Sequence, residues 1–396
     1  MVRGGRIVIA VVAVLGAVAG FGGADGVGAE EAPGVEAAAD EWTTVSVGAA
    51  HTCGIRVTGR LFCWGRDTEG QLGDGGANAD QDHPVEVAGA ATDWVAVSAG
   101  GVHTCARKAD GTLWCWGLDT NGRLGDGLPN ANQGAPVQVA GAATDWVAVS
   151  AGGTHTCARK ADGTLWCWGA DGSGQLGDGG TNSDQATPAL IAGGVTDWRA
   201  FDAGESHTCA RRATRQLRCW GRDNVGQLGD GGTNADQGSP VVVPGGRWAP
   251  VAGGQLHSCA RKTNGRLFCW GRDFNGQLGD GGANTDQTTP VQVDGAATDW
   301  RRVATGDNHT CARRTAGRLF CWGSDADGQL GDDPANASQT TPVRVPGTRW
   351  AVVSAGGNTT CATKTNRTLF CWGSDQFGQL GDGGANAASA TPVRIL

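Results

Sequence analysis

Tyrosine is absent from this 396-residue chain, and methionine occurs once. Such bias points to low complexity or an internal repeat rather than an ordinary mixed-composition domain. Runs of lysine or arginine are also lacking; the net charge is −8 and the pI is near 5.3. A nucleic-acid binder usually shows a basic stripe or a high pI, so nucleic acid is not expected as a partner. No two cysteines stand two to four residues apart, which excludes the usual zinc spacing. The longest apolar run, Ile7 to Phe21, covers 15 residues. A membrane helix needs about 20, so no span is expected in the mature chain. Helical periodicity is missing throughout.

What that short apolar run does match is a secretory signal. Arg3 and Arg6 precede it, and Val27-Gly28-Ala29 offers small residues for cleavage. The expected organisation is a signal peptide over 1–29, a linker over 30–40 and one repeat domain over 41–396. Export implies an oxidising compartment: secreted, periplasmic or at the cell surface.

Glycine is abundant, at 69 residues, and the 14 cysteines are strictly ordered. They fall as Cys53/Cys63, Cys105/Cys115, Cys157/Cys167, Cys209/Cys219, Cys259/Cys269, Cys311/Cys321 and Cys361/Cys371. Members of a pair are always 10 apart, and successive pairs are 52, 52, 52, 50, 52 and 50 apart. Each unit holds four short β-rich segments separated by Gly, Asp and Asn, as in residues 145–191. Cys105 and Cys115 are symmetric about Asp110, so a three-residue hairpin loop ending at Gly111 sets them opposite one another. Opposed strand residues lie within disulfide reach, and one bridge per unit is predicted. Arg215 and Arg367 stand where the other hairpins have Gly.

The fold expected is all-β: a seven-bladed β-propeller of four-stranded antiparallel blades. The last Pro-led segment, Pro392 to Leu396, has no unit after it. It is expected to close the ring by joining the first blade.

Segments such as 100–117 (GGVHTCARKADGTLWCWG) and 174–179 (GQLGDG) resemble the repeat of the regulator-of-chromosome-condensation family, which carries Gly-x-x-His-Thr/Ser, a hairpin, Trp-Gly and Gly-Gln-Leu-Gly. The resemblance runs from Trp42 to Leu396 and implies a seven-bladed propeller. Founding members of that family are exchange factors for a small GTPase that also bind chromatin. Other relatives are secreted protein-binding propellers. A cysteine pair in every blade departs from the family hairpin.

The tryptophans form two rings, one opening each unit and one following each second cysteine, and read as core. Six histidines stand two before a first cysteine, with Thr359 in the seventh place. They read as satisfying a backbone group at each strand start. The acidic turns at Asp119 and Asp325 faintly resemble calcium loops but lack the terminal Glu, so no metal is expected. Together these turns should gather acid on one face that prefers a cation or a basic partner.

The pair between Gly and His varies most between units. Glu205, Asp307 and Asn308 are binding candidates there, and Phe274 and Phe377 are anchor candidates in the turns before Gly-Gln-Leu-Gly. Further leads are the residues that break the repeat: His83, Arg218, Leu128-Pro129 and Asp333-Pro334. The function expected is an exported, non-enzymatic, protein-binding scaffold with no cofactor. It should be monomeric and bind a protein or cell-envelope component. The alternatives are an exchange factor by family analogy, or an enzyme with a site in the central channel.

Overall fold

The computed structural model describes residues 40–332 and 336–396. The signal segment, most of the linker and Asp333-Pro334 lie outside the described residues. Seven four-stranded antiparallel sheets follow one another along the chain. The first is β1 (Trp42–Val47), β2 (His51–Arg56), β3 (Leu61–Gly65) and β4 (Gln81–Glu86), in that spatial order. Among the described residues, helix is confined to a single 3₁₀ turn, Thr120–Gly122.

Each hairpin sets its two cysteines directly opposite one another, and each pair is bridged as the spacing predicts. The bridges are Cys53–Cys63, Cys105–Cys115, Cys157–Cys167 and Cys209–Cys219 in blades 1 to 4. Cys259–Cys269, Cys311–Cys321 and Cys361–Cys371 follow in blades 5 to 7. Their Cα atoms lie 4.0–4.1 Å apart. That spacing is slightly tighter than the usual 4.5 Å or so of a narrow antiparallel pair. The third loop residue takes the left-handed conformation, with φ +83° at Gly111 and +70° at Arg215. A β-carbon on Gly111 would collide with the carbonyl of Thr144 at the entry to the next blade. Arg215 escapes this because the following lead-in, Gly245-Gly246-Arg247, is two residues shorter and carries no such Thr.

Strand alternation gives each sheet two unlike apolar faces. One face carries the disulfide and a Leu; the other carries two tryptophans. The layer between blades 1 and 2 sets Cys53, Leu61, Cys63 and Leu72 against Trp94, Ala106 and Trp116. The same layer recurs around the ring: Cys167 packs towards Trp198 and Trp220, Cys219 towards Trp248 and Trp270, Cys269 towards Trp300 and Trp322, and Cys321 towards Trp350 and Trp372. Both tryptophan rings are therefore core, as expected.

The closure differs from expectation. The last strand, Ser389–Ile395, pairs with Leu369–Gly373 in its own seventh blade and does not join the first. Every unit is already a complete sheet, because its own Pro-bearing outermost strand, Gln81–Glu86 around Pro84 in the first, pairs with its own third strand. An edge strand tolerates that Pro. Blades 7 and 1 close instead through the ordinary side-chain layer, in which Trp42 and Trp64 meet Cys361, Leu369 and Cys371. Hydrogen bonds from Trp42 N to Arg367 O and from Gly383 N to Asp82 O, both 2.9 Å, complete the seam.

Candidate functional site: two unlike faces

One face of the ring is built from the Gly-x-x-His turns and the Gly-Gln-Leu-Gly turns. The other is built from the disulfide hairpins and the links between blades. On the first face the inner turns touch in a belt of hydrogen bonds, among them Gly101 N to Gly152 O (3.0 Å) and Glu205 N to Gly254 O (3.1 Å). Gly48 is required there, since a β-carbon would collide with Gly100 O.

The histidines do not satisfy backbone groups. Each reaches across to the next blade, as in His51 Nε2 to Thr104 Oγ1 at 2.8 Å. The Thr104 hydroxyl gives its one proton to Gln71 O, 2.8 Å away, so the imidazole must donate from Nε2. Trp116 Nε1 donates to the same carbonyl at 3.0 Å. Burial lowers His51 to about 4 and His155 to about 3, keeping both rings neutral. Thr359, in the seventh place, turns back to Ser374 O and leaves Thr52 without a histidine.

Seven aspartates organise the outer turns. Asp67 Oδ1 accepts the Leu72 amide at 2.8 Å, and Asp67 N donates to Asp80 Oδ1 at 2.9 Å. Burial raises Asp67 to about 6, with the Leu72 N–H opposing and Asp74 and Asp80 adding to the rise. Asp119 and Asp325 hold Leu124 N and Leu330 N in the same way. These turns are therefore closed by their own amides, and no acidic group able to hold a metal occurs among the described residues.

The repeat is not uniform at the central channel, a cavity of about 280 Å³ lined by the inner strands. Asp202 replaces the serine of Ser46, Ser98, Ser150 and Ser354. It accepts from Ser150 Oγ (2.8 Å) and Gly253 N (3.0 Å), clipping blades 3, 4 and 5 together. Burial raises it to about 6, against those two donors. Glu205 and Asp307 also line the channel. Burial pushes Glu205 up while Arg123 and Arg222 pull it down; Asp307 rises to about 6 through burial and the charge of Glu205.

Arg123 was missed in the sequence reading, although its turn reads Gly-Arg-Leu-Gly where the others read Gly-Gln-Leu-Gly. In the other turns the glutamine accepts a backbone N–H, as Gln71 Oε1 does from Glu69 N. Arginine cannot accept, and this is the turn that tightens into 3₁₀ form. Arg123 donates instead to Thr120 O (2.9 Å) and Gly153 O (3.1 Å).

The anchor candidates share this face rather than having one of their own. Phe274 is 71% exposed, with the Arg272 guanidinium 5.9 Å from its ring. Phe377 is half-buried under Arg66 of blade 1, at 5.3 Å. Asn308 is half-buried, and its carbonyl accepts Ser324 N. Only Glu205 and Asp307 of these five come together, at the channel mouth. Of the repeat-breaking leads, His83 pairs with Asp82 in the open, Arg218 bonds to Pro240 O and Gln216, and Leu128 is exposed.

The fold also sorts charge in a way the sequence hides. Among the described residues, every Lys and Arg except Arg66, Arg123, Arg222 and Arg272 lies on the hairpin half. Most acids lie on the opposite half. Several hairpin-side acids are neutralised in place, as Asp93 is by Lys108 and Asp197 by Arg212.

Comparison with known proteins settles the family. The RCC1-like domain model matches residues 4–301, and RCC1 repeats match 300–329, 351–379 and 316–363. The chain belongs to the RCC1-like domain family. It is 30% identical over 204 residues to human probable E3 ubiquitin-protein ligase HERC6, covering 50% of this chain but only 20% of that one. With the Arabidopsis thaliana ultraviolet-B receptor UVR8 it shares 31% over 203 residues, 50% of this chain and 45% of that one. The chain thus spans less than half the length of these curated relatives. Among solved structures, human WBSCR16 superposes with a TM-score of 0.76 at 21% identity, covering 85% of this chain and 94% of that one. Prp20p from Saccharomyces cerevisiae, described with its binding to Gsp1p and histones, gives 0.71 at 20% identity, covering 80% of both chains. At such identity these show the fold alone.

Proposed function

We propose that this chain is an exported, non-enzymatic scaffold whose acidic face holds a basic protein. The observation that carries the reading is the sorting of charge. The turns from Asp67, Asp171, Asp223 and their repeats place carboxylates around one rim, with Phe274 protruding among them. Such a rim raises the local concentration of a cationic partner and speeds its encounter. The binding of histones described for Prp20p, a relative in fold, supports a basic protein as the class of partner. Seven buried disulfides and no free cysteine among the described residues support work in an oxidising compartment.

Binding of a lysine-rich polypeptide to the purified chain tests this. Affinity should fall steeply with salt, and fall again in a Glu69→Lys/Asp82→Lys variant, while an acidic polypeptide should not compete. Equal binding of acidic and basic polypeptides, or indifference to that variant, would reject the reading.

A further inference from the structure

The hairpin half carries a cleft that the repeat does not explain. It lies between the inner strands of blades 5 and 6 and has a volume of about 360 Å³. Small-molecule sites begin at roughly 300 Å³. Pro250, Trp300 and Val353 supply apolar wall, and Arg261, Arg301 and Arg302 supply charge. No carboxylate lines it among the described residues.

The cleft has a local cause. In blade 2 the inner strand pairs Ala96 with Arg107, and most blades repeat this match. In blade 5 the register jumps from Trp248↔Lys262 to Val251↔Ala260, so Arg261 has no inner-strand partner. Pro250 occupies the gap and has no N–H for the ladder. The next inner strand then reads Trp-Arg-Arg, where blades 2 and 3 read Trp-Val-Ala. Two adjacent departures thus open a slot and place arginines at its edge.

These guanidiniums lack counter-charges. The side chains of Arg301 and Arg302 are exposed and make no hydrogen bond or ion pair among the described residues. Arg261 lies lower than an ordinary arginine through burial and then the charge of Arg301; Arg313 does so through burial, Arg302 and Arg301. Like charges held together beside an apolar wall are relieved by an oxyanion, which arginine binds bidentately.

We propose that this cleft binds a small amphipathic anion, its apolar body against Pro250 and Trp300 and its carboxylate or phosphate head on Arg261, Arg301 and Arg302. The site is separate from the acidic face and does not depend on it.

Calorimetric titration of the purified full chain with hexyl phosphate and with hexanoate tests the proposal and assigns the head group. Saturable one-site binding of either is expected, weakening by about tenfold or more in Arg301→Gln/Arg302→Gln, since charge-assisted hydrogen bonds are lost. Arg302→Glu alone should abolish it. Arg318→Gln, on the same half but outside the cleft, should bind as the parent does. Hexanol binding as tightly as the anions, inorganic phosphate binding as tightly as hexyl phosphate, or an arginine pair variant that binds unchanged would each overturn it. Unaltered circular dichroism of the variants secures the comparison.

Discussion

Replacing Thr104 by Val tests the inter-blade relay, and the protein supplies its own control. Thr104 Oγ1 donates to Gln71 O and accepts from His51 Nε2, each at 2.8 Å, in a fully buried layer. Valine keeps the shape and removes both bonds. Gln71 O retains Trp116 Nε1, but the His51 N–H is stranded. An unmade buried donor costs about 1–3 kcal/mol and a lost hydrogen bond about 1, so the total is about 2–4 kcal/mol. Thr52→Val makes the same change at the seam. There Thr359 has replaced the histidine, and only the 2.9 Å bond to Gln379 O is lost. Its cost should be about 1 kcal/mol. The assay is the guanidinium midpoint of parent, Thr104→Val and Thr52→Val under non-reducing conditions. Equal losses in the two variants would refute the view that the histidine is a donor held by the next blade.

Three further outcomes follow from named residues. Gly73 has φ +70°, and a β-carbon there would collide with Trp116 Nε1; Gly73→Ala should cost about 3 kcal/mol or more by thermal denaturation. Arg215→Gly should stabilise by about 0.5–1 kcal/mol in the same assay, because the exposed Arg215 is held at φ +70° without the collision that fixes Gly111. Asp67 is raised to about 6 when folded, so its stabilising contribution is present near pH 4 and lost as pH rises through 6. Relative to the parent, Asp67→Asn should therefore gain on the order of 1–2 kcal/mol between pH 4 and pH 7, allowing for water at the turn. The comparison must be with the parent, because the buried histidines oppose the trend: their lowered values make them destabilising as pH falls below 6.5.

Local features were legible in the sequence because local chemistry sets them. Cysteines 10 apart around Gly111 leave one hairpin register, and two rings of tryptophan leave few places but the layers between sheets. The closure was misread because the last Pro-led segment has no unit after it, and so looked like a strand owed to the first blade. The strand that carries Pro84 pairs with Leu61–Gly65 of its own unit, as the last strand pairs with Leu369–Gly373, so each unit is self-contained. The histidine relay was hidden because its partner, Thr104, is 53 residues from His51. Charge sorting was hidden for a similar reason. Lysines and arginines are dispersed along the chain, yet they stand at the strand ends that topology brings to one half. Arg123 and Asp202 were visible as breaks in the repeat, but only the channel geometry gives them a setting.

The disulfide map of the unreduced, unfolded protein tests the stapled ring most directly. Proteolysis and mass spectrometry should recover seven bridges, each joining cysteines 10 residues apart, with no thiol free to react. Reactive thiols, or bridges that join different blades, would contradict the register on which every layer of the propeller depends.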